Sequence, residues 1–279
     1  MLSFDEKVIP LDDWITQFID WLVEGYRWFF QGLKWPVEIT LSGIENGLLA
    51  IPPLIVIAVL AVIAWRVSGI RLAGFTVGAM VFIGLLGLWE DTMVTLAMVF
   101  SSVVFCTIVG IPLGIAAGRS DGFEAAIRPV LDGMQTTPAF VYLVPIVMLF
   151  SIGNVAGVLA TIVFALPPII RLTALGIRQV HPELVEAALA FGATSWQVLV
   201  KVQIPLAMPT IMAGLNQTMM MALSMVVIAA LIGAGGLGAP VVLGLNTLDI
   251  GLATIGGLSI VLVAIVLDRI TQAVGKQKN

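Results

Sequence analysis

The sequence predicts an all-α, polytopic membrane protein with about seven transmembrane helices. Hydrophobic residues make up 59% of the 279 residues and charged residues only 11%, whereas soluble domains carry about 25% charged residues. Apolar stretches recur along the chain with only short polar segments between them. A spanning helix needs about 20 mostly apolar residues, so the chain has room for several spans but no polar block long enough for a soluble domain.

The predicted spans follow from these apolar stretches, and the fourth and fifth are separated only by Gly153 and Asn154. The seven spans are Leu49–Trp65, Leu72–Trp89, Thr92–Ala117, Met134–Ile152, Val155–Ile170, Ile211–Ile232 and Ile250–Leu267. Small residues four apart, as in Gly110 and Gly114, Gly74 and Gly78, or Gly153 and Gly157, favour close helix packing.

Residues 1–48 precede the first span and contain four aromatic residues with helical spacing. Trp14, Phe18, Trp21 and Trp28 follow one another at intervals of four, three and seven residues, which places them on one face of a helix. This pattern predicts an amphipathic helix along the outer membrane surface. An aromatic cage for a cationic ligand is the alternative interpretation.

The distribution of cations predicts the orientation of the chain. If the N-terminus is outside, ten lysines and arginines fall on the cytoplasmic side and three, Lys7, Arg27 and Lys34, fall outside. The cytoplasmic set is Arg66, Arg71, Arg119, Arg128, Arg171, Arg178, Lys201, Arg269, Lys276 and Lys278. Because cytoplasmic loops are enriched in Lys and Arg, we expect an external N-terminus and a cytoplasmic tail, residues 276–279.

Several patterns that carry chemistry in other proteins do not do so here. Gly233–Gly238 reads GAGGLG, but it follows a span and precedes Pro240, so we interpret it as a tight outer loop rather than a dinucleotide site. His181 is the only histidine and Cys106 the only cysteine. We therefore expect no metal site, no catalytic residues and no nucleic-acid partner. The sequence also lacks the G-x-x-x-x-G-K-[ST] pattern of a P-loop.

The segment before the sixth span is more polar and has helix start and stop signals. Pro182 and Glu183 suit a first helical turn, and Gly192 suits a C-terminal cap, so the pattern predicts a helix over Glu183–Phe191. A second helix is predicted over Trp196–Val202, ended by Pro205. An exposed apolar helix of this kind favours a groove in a partner protein, and packing on its own helix bundle is the alternative.

The same segment resembles the EAA motif of the membrane subunits of binding-protein-dependent ABC importers. Glu186-Ala187-Ala188 is followed by Gly192 and, after nine more residues, by Val202-Gln203-Ile204-Pro205. Further blocks, covering roughly Glu90 to Gly275, are similar to permease subunits of glycine betaine, proline betaine and choline importers. They are Met134–Asn154, Phe164–Ile177, Pro205–Thr218, Ala222–Gly238 and Leu267–Gly275.

The resemblance implies a type I importer core of five helices over residues 90–275, with a cytoplasmic coupling segment over 178–206. Residues 49–89 would then be two scaffold helices. The implied partners are a second copy of the chain, two cytoplasmic ATPase subunits that bind ATP and Mg, an extracytoplasmic solute-binding protein and membrane lipid. The implied ATPase-coupling residues are Glu183, Glu186, Ala187, Ala188, Leu189, Phe191, Gly192 and Pro205.

The resemblance also implies a small quaternary ammonium or betaine solute, moved by alternating access through a weakly selective pathway. The candidate pathway residues are polar residues within apolar spans: Thr136, Thr137, Tyr142, Asn216, Gln217 and Ser224. Hydrogen bonding between helices is the alternative role for each of them. An autonomous secondary transporter or channel is the alternative function, but it predicts intramembrane charge pairs or inverted repeats, which are not evident.

Overall fold

The computed structural model describes residues 10–276, and the regular structure within them is entirely helical. The first nine residues of the predicted outer segment and the last three of the predicted tail lie outside the described residues. In chain order the helices are α1 (Leu11–Ala50), α2 (Pro53–Ser68), α3 (Ile70–Leu85), α4 (Trp89–Arg119), α5 (Asp121–Thr136), α6 (Ala139–Phe150), α7 (Asn154–Arg178), α8 (Pro182–Ala190), α9 (Ser195–Val198), α10 (Ile204–Ala230), α11 (Gly238–Thr247) and α12 (Ile250–Lys276).

Helix α1 is 40 residues long and continues past residue 48, the predicted end of the outer segment. It ends at Ala50 because two prolines follow: Ile51 is extended, with ψ 130°, as is usual for a residue before proline. Pro53 then opens α2, which is bent by 105° relative to Trp28–Ala50. The predicted span Leu49–Trp65 is therefore corrected to the 16-residue helix α2.

The predicted span Met134–Ile152 is also corrected, because Pro138 breaks it. Thr137, the residue before the proline, is extended with ψ 124°, which ends α5 at Thr136. Helix α6 begins at Ala139, and the two helices meet at 98°.

The membrane class is confirmed, with fewer clear spans than the seven predicted. Four helical stretches in the described part are long and apolar enough to cross a membrane: Trp89–Arg119, Asn154–Arg178, Ser195–Ala230 and Ile250–Gly275. The two bent pairs would raise this to six by length and composition. Helix α3, which corresponds to the predicted span Leu72–Trp89, is a shorter apolar helix of 16 residues.

The core lies where α7 packs along both α4 and α10. Glycines on α4 permit the close approach: a Cβ added to Gly114 would lie 2.5 Å from Cβ of Thr173 and 2.8 Å from the carbonyl oxygen of Ile170. The expected packing role of Gly110 and Gly114 is therefore confirmed. Gly74 and Gly78 do not pack in this way, since no described atom lies within 4 Å of an added Cβ at either.

Candidate functional site

The predicted coupling segment folds as a short helix with well-defined ends. Helix α8 begins with Pro182 at its first position, where the missing N–H group costs no hydrogen bond. At its C-terminal end, Gly192 takes a positive φ of 83° and donates to the carbonyl oxygen of Leu189 at 2.9 Å. The Ala193 N–H donates to the carbonyl oxygen of Ala188 at 3.1 Å. This pair of hydrogen bonds forms a Schellman motif, which explains the glycine.

A second cap starts the next helix only two residues later. The Gln197 N–H donates to Oγ1 of Thr194 at 3.3 Å, and the Thr194 N–H donates to Oε1 of Gln197 at 2.8 Å. This reciprocal capping box fixes the start of α9. The two motifs together give α8 a defined position next to α9.

Pro205 does not end the second helix, which corrects the sequence prediction. The chain runs from α9 through a π-helical turn, Leu199–Gln203, directly into α10. Within this turn the N–H of Ile204 bonds the carbonyl of Leu199, five residues back. The wider turn accommodates Pro205, which has no N–H and whose ring would crowd a regular α-helix.

Helix α8 and the residues that follow it directly are strongly exposed in this chain. No residue of α8 is buried. The Phe191 side chain is 94% exposed and Trp196 is 69% exposed. Seven of the eight candidate coupling residues thus lie together on or next to α8, whereas Pro205 lies apart from them in α10. Buried Val198 and Leu199 anchor the segment to the bundle.

A network of ion pairs lies at the same end of the bundle. Arg178, in the last turn of α7, contacts carboxylates of Asp121 at 2.7 Å and Glu124 at 2.9 Å on α5. About two turns earlier, Arg171 contacts Asp132 at 2.5 Å. These pairs hold α5 against α7. No local pattern predicts these ion pairs, because the paired residues are 39 to 57 residues apart in the chain.

The candidate pathway residues fall on two parts of the structure. Gln217 and Ser224 lie seven residues apart on the exposed side of α10, and Ser224 also donates to the carbonyl of Met220 at 3.0 Å. Asn216, on the adjacent side, donates to Oδ1 of Asp268 at 3.0 Å and accepts from Thr271. Asn216 therefore makes the interhelical hydrogen bonds named as its alternative role.

The other three candidates lie on α5, α6 and the break between them. Thr136 is exposed at the end of α5 and donates to the carbonyl of Asp132 at 2.9 Å. Thr137 is half-buried in the break itself. Tyr142 is half-buried on α6, and its hydroxyl oxygen is buried without a hydrogen-bond partner among residues 10–276.

The glycine-rich stretch forms a tight loop at the other end of α10, as predicted. Gly233 and Gly236 have positive φ angles of 77° and 78°. The N–H of Leu237 donates to Oγ1 of Thr95 at 2.8 Å, and the N–H of Gly235 donates to Oδ1 of Asn154 at 2.7 Å. The loop thereby connects the starts of α4 and α7.

No cluster of three or more His, Cys, Asp or Glu side chains with metal-binding geometry is present in the described part of the chain.

Comparison with known proteins places this architecture in a family. Residues 110–278 match the model of the binding-protein-dependent transport system inner membrane component. The chain is 57% identical over 276 residues to the glycine betaine/proline betaine transport system permease protein ProW of Escherichia coli, covering 99% of this chain and 78% of that protein. It is 46% identical over 271 residues to the glycine betaine transport system permease protein OpuAB of Bacillus subtilis, covering 97% of this chain and 96% of that protein.

The fold is also found in a solved transporter. A chain in an inward-facing structure of the MetNI methionine ABC transporter superimposes with a TM-score of 0.62 and 22% sequence identity, covering 72% of this chain and 98% of that chain. At this level of identity the likeness establishes a shared fold, that of a type I importer permease.

Proposed function

This chain belongs to the binding-protein-dependent transport system inner membrane component family, and we propose that it is the permease subunit of an ATP-driven importer of betaine-type solutes. The observation that carries this function is the extent of its similarity to two betaine permeases, which covers nearly the whole chain. The chain is itself not an enzyme, because ATP hydrolysis belongs to a separate ATPase subunit.

The exposed helix α8 is the point where the ATPase acts on the permease. Its apolar side chains Leu184 and Leu189 are 46% and 48% exposed, and Phe191 projects from its end. An apolar helix of this kind binds in a groove of a partner, which removes the side chains from water. Pro182 at its start and the Schellman motif at its end keep α8 short, and the capping box of α9 fixes it so that it transmits a displacement to α9 and α10.

Two copies of the chain, two ATPase subunits and an extracytoplasmic solute-binding protein form the complete importer. The ATPase subunits bind ATP and Mg, which this chain's sequence has no P-loop to hold. ATP and the loaded binding protein both favour the outward-facing state of the permease pair through differential contacts. Hydrolysis removes the contacts of ATP, and the inward-facing state is favoured again.

The N-terminus lies outside and the C-terminus in the cytoplasm. Arg119 and Arg178 support this orientation, because they end α4 and α7 at the same end of the bundle as α8. Lys201 lies in the π-helical turn next to α9. Positive residues gathered at one end mark the cytoplasmic side.

The solute passes between exposed helix faces that carry few polar groups. Gln217 and Ser224 on α10 and Thr136 on α5 are exposed in the single chain and line this route. Thr137 and Tyr142 lie at the bend between α5 and α6, where a change of angle alters the width of the route. Asn216 supports the route from outside it, by hydrogen bonds that hold α10 to α12.

Uptake of radiolabelled glycine betaine into proteoliposomes tests this function. We expect ATP-dependent uptake when the chain is reconstituted with its ATPase and binding protein, and none from the chain alone. Glu186→Lys on exposed α8 should lower the ATP-dependent rate by about ten-fold or more, because a reversed charge opposes docking. Glu38→Lys, on the exposed side of α1, is the matched control and should transport normally. Uptake by the chain alone, or a fully active Glu186→Lys variant, would refute the proposal.

A further inference from the structure

The first half of α1 carries a cluster of exposed aromatic rings that a straight helix would not form. Trp21 and Tyr26 are five residues apart, which separates them by about 140° around a regular helix. Tyr26 has non-helical angles, φ −120° and ψ 18°, and kinks α1 at this point. As a result the two ring centroids are 5.2 Å apart with an interplanar angle of 70°.

Phe18 extends this cluster by one more ring. Its centroid lies 6.1 Å from that of Trp21, and the two planes are tilted by 31°. Phe18, Trp21 and Tyr26 are 60%, 56% and 42% exposed. The rings of Trp21 and Tyr26 thus meet at a large angle, with Phe18 beside Trp21, and all three rings are accessible from solvent.

The charges around the rings favour a cation. Within Leu11–Ala50 there are six carboxylate residues against two basic ones, Arg27 and Lys34. Glu24 lies one helical turn after both Asp20 and Trp21, so the two carboxylates share the side of the helix next to the Trp21 ring. A helix that only lies on a membrane surface is instead usually rich in Lys and Arg on its polar face.

A quaternary ammonium group matches this surface. It has no N–H to donate, so proteins recognise it by the faces of aromatic rings and by nearby negative charge. We propose that Phe18, Trp21 and Tyr26, flanked by Asp20 and Glu24, form a low-affinity binding site for the quaternary ammonium group of free solutes. The choice of free solute as ligand rests on the proposed transport function.

The ¹⁹F NMR signal of Trp21 tests this site. The full chain is labelled with 5-fluorotryptophan and placed in nanodiscs of phosphatidylethanolamine and phosphatidylglycerol, and Trp21→Phe assigns the signal. We expect choline chloride to shift the Trp21 signal saturably and to leave the Trp35 signal in place. The neutral isostere 3,3-dimethyl-1-butanol should not reproduce the shift.

Variants of α1 identify the ring that contributes. Tyr26→Ala should raise the choline concentration at half-saturation about two- to five-fold, because one exposed cation–π contact usually changes affinity by that factor. Phe29→Ala, an exposed ring beyond the kink, should leave it unchanged. An equal shift with the neutral isostere, an equal effect of both variants, or no shift of Trp21 would overturn the site.

A lipid headgroup is the other source of a quaternary ammonium group. If phosphatidylcholine nanodiscs without added choline produce the same Trp21 shift, the lipid headgroup occupies the site and the assignment to free solute is wrong. The uptake assay separates this inference from the proposed function. ATP-driven uptake without a Trp21 response refutes the site alone, whereas a response without uptake supports the site and refutes the transport function.

Discussion

Replacing Phe191 by alanine tests the proposed binding of the ATPase to α8. The side chain is 94% exposed in this chain, so nearly its whole apolar surface is available to a partner. Complete burial of a phenylalanine side chain contributes about 1.5–3 kcal/mol. Taking about 2 kcal/mol as lost in Phe191→Ala, we expect the dissociation constant for the ATPase to rise roughly 30-fold. The free chain should melt as the wild type does, because no intramolecular contact of consequence is removed.

The assay is a titration of purified ATPase against the chain in nanodiscs, with binding measured by biolayer interferometry. Leu248→Ala is the matched control, since Leu248 is 86% exposed and follows α11, beyond the far end of α10. It should bind the ATPase as the wild type does. Binding by Phe191→Ala within about two-fold of the wild type would show that this side chain remains in water in the complex, and the reasoning would be wrong.

Three further predictions concern the helix packing and the glycine-rich loop, and thermal unfolding of the purified chain in detergent measures all of them. Gly114→Ala should lower stability by about 1–3 kcal/mol, because the new methyl group meets a backbone carbonyl and a β-branched side chain. The control Gly78→Ala, with open space around it, should be neutral or stabilising. Equal effects of the two variants would contradict close packing of α4 against α7 at Gly114. Gly236→Ala should destabilise the chain for two reasons: its φ is positive, and the added Cβ would lie 2.5 Å from Oγ1 of Thr95. Thr95→Val should lower the free energy of unfolding by about 1–3 kcal/mol, because the Leu237 N–H loses its hydrogen bond to Oγ1 of Thr95. A melting temperature equal to that of the wild type would refute the importance of this hydrogen bond.

The coupling segment was predictable because its structure is decided locally. Pro182 starts α8 because its fixed φ suits a first helical position. Gly192 ends α8 and Thr194 starts α9 through hydrogen bonds between residues no more than five positions apart. Such capping signals are visible in the sequence. The exposure of Phe191 was not visible, because it depends on how α8 is placed relative to the rest of the bundle.

The features that the sequence did not indicate depend on distant residues or on an unusual backbone. The ion pairs of Arg171 and Arg178 with α5 require α7 to pack beside it, which no local pattern encodes. Helix α11 is capped by Leu248 in a left-handed conformation, φ 57°, which is unusual for a leucine and which the residue type does not indicate. Pro205 was misassigned because a π-helical turn allows the helix to continue through a residue that normally stops one.

Photo-crosslinking from α8 tests the central claim most directly, that a partner ATPase drives this permease through that helix. Cys106 is the only cysteine in the chain and is buried, so Leu189→Cys in a Cys106→Ala background places one benzophenone label on α8. In the assembled complex we expect a light-dependent product with the mass of chain plus ATPase, and none from a label at Leu248→Cys. Labelling of lipid or of a second permease copy alone from Leu189→Cys, or an ATPase product from Leu248→Cys, would contradict the account.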